Sequence, residues 1–315
     1  MRFYSAAETR QRLAFAPLVD ALRVMFARGC ELPPRQVLEI AGRGADPVTS
    51  LVMPAWQEDG CYGVKVVNIA PGNAARGLPG LHSTYVLYDA STGVPLAWLD
   101  GDEITARRTA ATAALASSWL AAEGASHLAL IGAGRVARLL PQAHRAVRPI
   151  VRVTVWARSS ARAAALVADL AAQGFDARAA ASVEAAVAEA DIVDCATLAR
   201  EPIVCGRWLR PGSHLDLIGS FTPAMREADD ACFAAAAVFV DSDDAATKSG
   251  DLIGPLARGV FGADAIGTLA DLARGRRDGR RAAGQLRTVF KSVGSALEDL
   301  AAAMLVHSAS TAQDS

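Results

Sequence analysis

A chain of 315 residues, 52% hydrophobic and only 21% charged, carries enough apolar material for a large core, and its length points to two domains. A formal net charge of −1 gives no field that would gather nucleic acid or an anionic membrane. The polar start MRFYSAAETRQRL does not read as a secretory leader, and no apolar run approaches the ~18 residues of a membrane span.

In chain order, Ser5 and Glu8 make a capping box that opens a helix over about residues 6–28. LPPR then forces an extended segment, because each proline disfavours helix in the residue before it. Residues 48–99 read as strands and turns: TSLVMPAW, YGVKVVNI, STYVLYD and PLAWLD, an antiparallel sheet. A helix follows, capped near Asp102 and running through ITARRTAATAALASSWLAA. Beyond Gly124 and Ser126 the pattern changes. HLALIG, RVTVWAR, ADIVDCAT, HLDLIGS and AAVFVDS are short, nearly continuous apolar runs separated by helical stretches such as SARAAALVADLAAQG and SVEAAVAEA. Alternation of this kind means a parallel sheet covered on both faces, so the fold class is α/β. After about residue 250 the chain reads as helical again, through TVFKSVGSALEDLAAAMLVH. The tail SASTAQDS reads as disordered, and RGRRDGRR (274–281) as a solvated loop.

The five cysteines, Cys30, Cys61, Cys195, Cys205 and Cys232, are odd in number and lack C-x-x-C spacing. They read as reduced, mostly buried apolar residues of a cytoplasmic protein, with neither a metal site nor a disulfide framework.

Where HLALIG turns into a helix, Gly132-Ala133-Gly134-Arg135-Val136 forms a glycine turn. Gly132 permits the tight turn, Gly134 leaves room for a pyrophosphate against backbone amides, and Ala137 is the small third residue of G-x-G-x-x-[GA]. The strand before, the helix after and the next strand about twenty residues on complete the dinucleotide fingerprint. That second strand ends in Ala157-Arg158-Ser159-Ser160 with no acid to hold a ribose 2′-hydroxyl. Arg158 and the serines suit a 2′-phosphate, which selects NADPH, with NADH the weaker partner. In the first half, Arg35, Lys65 and the Arg107-Arg108 pair stand in apolar or proline-rich sequence. A buried lysine needs an anionic partner, and with a nicotinamide site the set suggests a pocket for a small carboxylate. Helical spacing does not say which of Arg107 and Arg108 points inward.

YGVKVVNIAPGN, YDASTGVPLAWLDGDEITARRTAATAALAS, the GAG turn, DCATLAREPIV and VFKSVG, in that order, resemble the ornithine cyclodeaminase/mu-crystallin family over almost the whole chain. The resemblance implies a Rossmann domain (123–289) inserted in an α+β substrate and dimerisation domain (1–122 with 290–315), assembled as a homodimer. It places carboxylate binding on Arg35, Lys65 and Arg108, and the cofactor on Gly132, Gly134, Arg158, Ser159 and Thr197. Two departures stand out. Val136 sits where members commonly have glutamine, and in LIGSFTPAMREAD Phe221 takes the place of the aspartate that assists cyclodeaminase amine chemistry. Phenylalanine moves no proton. GSFTPxMRE resembles instead the branch reducing Δ1-pyrroline-2-carboxylate and Δ1-piperideine-2-carboxylate, a branch that His82 also fits. A cyclic imine needs only hydride at C2 and a proton on nitrogen, for which Lys65, His82 and a water are the donors in view. The expected function is therefore an NADPH-dependent ketimine reductase making L-proline or L-pipecolate. The alternatives are a cyclodeaminase, an alanine dehydrogenase, an opine-type synthase or a non-catalytic NADPH-binding protein.

Overall fold

The strand-rich first third and the alternating middle form two units in a computed structural model that describes residues 1–41, 47–58, 60–280 and 286–311. The first unit holds Met1–Arg108 and Ser295–Ser315; the second holds Thr109–Gly294. Both crossings differ from the expected 122/123 and 289/290. The first falls inside a helix, which has no composition break to mark it.

The first unit begins with β1 (Arg2–Tyr4), α1 (Ala6–Arg12) and α2 (Phe15–Arg28), followed by β2 (Gln36–Ile40), β3 (Val48–Trp56), β4 (Cys61–Ile69), β5 (Leu81–Asp89) and β6 (Pro95–Asp100). The Ser5/Glu8 capping box forms, but the expected single helix breaks at Leu13 and Ala14. Pro17 explains the break. In a continuous helix it would offer no N–H to Leu13, whereas here it sits in the first turn of α2. The Leu13 carbonyl instead accepts from Arg107 Nε at 2.6 Å, and the Arg107 guanidinium lies 4.3 Å from the Phe15 ring centre. Arg107 is thus committed to the helix break.

The sheet order is β1-β6-β5-β4-β3-β2, antiparallel throughout except for the β1–β6 edge. Register places Tyr4, Leu99, Tyr85, Lys65 and Met53 in one cross-sheet row, all buried. The closing helix of the chain packs on this face against β3, β4 and β5. Phe3, Trp98, Val86, Val64 and Pro54 make the matching row on the other face. β1 and β2 escaped the sequence reading, since one is three residues long and the other is an edge strand exposed on both faces.

α3 (Gly101–Leu120) leads into β7 (His127–Ile131), α4 (Leu140–Arg145), β8 (Arg152–Trp156), α5 (Ser160–Ala172), β9 (Asp176–Ala179), α6 (Val183–Val187), β10 (Ile192–Cys195), β11 (His214–Leu217) and β12 (Ala236–Val240). After these come α7 (Ala245–Lys248), α8 (Gly250–Ala257), β13 (Gly267–Thr268), α9 (Leu269–Ala273), β14 (Arg287–Lys291) and α10 (Ala296–Thr311). The second unit's sheet is parallel in every pairing, in the order β13-β12-β14-β11-β10-β7-β8-β9. The chain runs outward through β7, β8 and β9, then returns to place β10 on the other side of β7. That reversal is the switch point at which doubly wound sheets bind ligands. One correction is β14: TVFK is a central strand between β11 and β12, not part of a terminal helix. Another is the tail, where α10 continues through Thr311 and so takes in Ser308, Ala309 and Ser310; residues 312–315 lie outside the described set. In the basic stretch Arg274, Arg276 and Arg277 are exposed, as a solvated loop requires, while Arg281 lies outside the described residues.

Candidate active site

Two adjacent acids open α10, and both are fully buried: Glu298 and Asp299. Their position in the first turn favours negative charge, because the helix dipole is positive there. Beneath them, β4 delivers Lys65 and α3 delivers Arg108, 2% and 6% exposed. Lys65 Nζ lies 2.5 Å from Asp299 Oδ2, and Arg108 Nε donates to Asp299 Oδ1 at 2.9 Å. Arg108 Nη1 donates to Glu298 Oε2 at 2.6 Å, and Lys65 Nζ donates to Thr105 Oγ1 at 3.4 Å. Burial drives Lys65 down to about 8, opposed by Asp299 and assisted by Arg108. Burial also pushes Asp299 upward, but the two cations outweigh it and hold the carboxyl below its ordinary value. A lysine that changes charge near neutral pH, beside a fixed guanidinium, can bind an anion and deliver a proton.

Arg108, not Arg107, is therefore the arginine of this cluster. Arg35 stands one residue before β2, half-buried. It lies outside the paired part of the strand, between the Gln36–Val52 pair and the Glu31–Trp56 bridge, across which the register shifts by one residue. His82 falls elsewhere. It pairs with Asn68, one pleat step out of phase with Ser83 and Tyr85, so it faces the opposite side of the sheet from Lys65 and is exposed. Period-two alternation removes His82 from the Lys65 face. Sequence reasoning missed Asp299 and Glu298 because SALEDLAAA reads as an ordinary helix start with a favourable dipole. The signal available was a pair of acids within an otherwise apolar helix.

In the second unit, the glycine turn stands at the switch point. Gly132 has φ +124°, and a Cβ there would come within 2.6 Å of the Ala196 carbonyl after β10. Gly134 is exposed, with open space where a Cβ would be, and Ala137 is buried, as close helix–strand packing requires. Helical winding starts within the turn, where Arg138 N–H donates to the Gly134 carbonyl at 3.2 Å. Arg135 is exposed, while Ala133 and Val136 are half-buried. Arg158 and Ser159 are exposed beyond β8, and Ser159 Oγ caps α5 by accepting from Arg162 N–H at 3.3 Å. Thr197 follows β10, and its N–H and hydroxyl both donate to Glu227 Oε1 at 2.8 and 2.7 Å. Gly219 N–H donates to the other Glu227 oxygen at 2.6 Å, so one buried acid ties the loops after β10 and β11 together. Burial raises Glu227 to about 7. An open glycine turn at the switch point, with free space where a Gly134 Cβ would be, fits a dinucleotide.

Phe221 is 47% exposed after β11, not packed in the core as a purely structural phenylalanine would be. Of the cysteines only Cys195 and Cys232 are buried; Cys30, Cys61 and Cys205 are half-buried, and all five are free. His144, Asp194 and Asp216 offer ligand-type atoms within 4.8 Å of one another inside the parallel sheet. His144 Nε2 to Asp194 Oδ2 is 2.8 Å, a hydrogen bond and shorter than the ~3.3 Å between two donors on one tetrahedral zinc. Burial, with Asp194 alongside, pushes Asp216 well above the usual carboxylate range.

The model for the ornithine cyclodeaminase/mu-crystallin family matches residues 7–314. Delta(1)-pyrroline-2-carboxylate reductase of Paracoccus denitrificans is 40% identical over 302 residues, covering 95% of this chain and 94% of that protein. Ketimine reductase mu-crystallin of Rattus norvegicus is 34% identical over 316 residues, covering 97% and 96%. The solved structure of Thermococcus litoralis Delta(1)-pyrroline-2-carboxylate reductase in complex with NADH and L-proline superposes with a TM-score of 0.91 at 30% identity, over 100% of this chain and 98% of that one.

Proposed function

Because the chain belongs to the ornithine cyclodeaminase/mu-crystallin family, we propose that it reduces a cyclic ketimine, Δ1-pyrroline-2-carboxylate or Δ1-piperideine-2-carboxylate, to L-proline or L-pipecolate. The observation that carries the reading is the buried Lys65–Arg108 cluster, in a chain that also holds an open glycine turn at a parallel-sheet switch point. When bound, the reduced nicotinamide supplies the hydride. The chain's own groups do the rest. Arg108 orients the substrate carboxylate, with Arg35, just before β2 of the same sheet, as a second cation. Lys65 gives its proton to the imine nitrogen, and the fixed grip on the acid group holds C2 in one place. Phe221 leaves no carboxylate where amine elimination would need one, which separates this chain from the cyclodeaminases.

NADPH is the preferred donor on the strength of Arg158, which has no ion pair or hydrogen bond among the described residues and so keeps its guanidinium for a 2′-phosphate. Arg158→Ala should weaken NADPH use by roughly 10- to 100-fold and spare NADH, since a charge-assisted hydrogen bond is worth about 1.5–3 kcal/mol. Equal loss with both dinucleotides would place Arg158 outside the site. The chain works as a homodimer in this reading, with the half-exposed Trp98, Val86, Val64 and Pro54 face meeting a second copy. Five free thiols suit a reducing, cytoplasmic setting, and none of the described helices is long and apolar enough to cross a membrane. The direct test follows NADPH absorbance with each cyclic imine and with pyruvate plus amines. Turnover with pyruvate and an amine, and none with either ring, would favour an opine-type synthase instead.

A further inference from the structure

We infer that Asp299 is the positioning residue that keeps Lys65 protonated and fixes Arg108 for a substrate carboxylate, an assignment that rests on the imine-reductase reading above. One carboxylate serves both cations, with Oδ2 at 2.5 Å from Lys65 Nζ and Oδ1 at 2.9 Å from Arg108 Nε. Glu298 engages Arg108 directly, at 2.6 Å, and raises Lys65 through space. The groups facing Lys65 are Asp299 and Glu298 from α10, Arg108 and Thr105 from α3, and Tyr85 from β5. Burial raises the Tyr85 hydroxyl well above its ordinary value, so it stays neutral beside Lys65.

Two cations and two anions therefore balance in a place closed to water. Asp299→Asn would leave Lys65 beside Arg108 with no carboxylate in contact, and burial would then strip its proton at lower pH. The same change would take the Asp299 carboxylate away from Arg108 Nε, loosening the fork that must meet the substrate acid. Both effects have one origin, the bridging geometry of a single side chain at the start of α10.

Lysine occurs in this chain only at positions 65, 248 and 291, so lysine-selective carbon-13 labelling of the full chain gives a resolvable Lys65 signal. Asp299→Asn is expected to lower the Lys65 titration midpoint by about one pH unit or more, and to move the alkaline limb of kcat down with it. Glu298→Gln should shift that midpoint less, and Asp299→Glu should restore most of it. A merely structural Asp299 would change the melting temperature and leave the Lys65 midpoint in place, and that result overturns the assignment. So does an equal shift in the Asn and Gln variants. Without any variant, the Asp299 carboxyl of the wild-type chain must stay ionised through the range in which Lys65 titrates; a neutral Asp299 at pH 7 overturns it also. If the wild-type chain reduces no cyclic imine, the reductase reading fails, while the Lys65 titration still decides the role of Asp299.

Discussion

Arg108→Ala is expected to raise KM for the cyclic imine by about 100-fold, with KM for NADPH little changed, because the lost fork is worth about 3 kcal/mol to a bound carboxylate. The residue also neutralises Glu298 and Asp299, so its removal strands buried anions and costs about 3–5 kcal/mol of stability. Arg108→Lys separates the two consequences. A cation remains for the acids, but the planar fork is gone, so folding should survive while the imine KM stays raised. Equal effects of Arg108→Ala on the imine and on NADPH would place Arg108 outside the substrate site.

Lys65→Met is expected to act on the chemical step. Loss of a positioned proton donor lowers kcat by about 10²- to 10⁴-fold. The alkaline limb set by a lysine at about 8 should also disappear from whatever activity remains. Below that value Lys65 is charged and can donate; above it the donor is spent, so wild-type kcat falls as pH rises through it. Methionine fills much of the volume, but Asp299 keeps only Arg108, and a lower melting temperature will accompany the kinetic loss. Retention of the alkaline limb in Lys65→Met would assign the proton to another group.

The glycine turn was legible because three local requirements coincide there: a left-handed glycine, an open glycine and a buried alanine. Lys65 was legible for a different reason. A lysine between valines on an alternating strand must be either exposed or paired, and the sequence left open which; the structure buries it. What paired it was invisible, since Asp299 lies more than two hundred residues away and only tertiary packing joins them. The face of His82 was not legible, because a one-residue step along β5 reverses the face and no sequence cue fixed the β4–β5 register. β14 was misread because RTVFK is short and runs straight into a turn and a strongly helical segment. Its identity as a strand comes from the two neighbours that sandwich it. Arg107 and Arg108 were inseparable by spacing. The helix break at Leu13, with its orphaned carbonyl, claimed one and left the other.

The measurement that bears most directly on this account is the fate of deuterium placed at the nicotinamide C4 of NADPH during turnover with Δ1-pyrroline-2-carboxylate. L-proline carrying that deuterium at Cα is the expected product, formed at subsaturating imine far more slowly by Arg108→Ala. Proline without the label, or ammonia released from ornithine in its place, would contradict it.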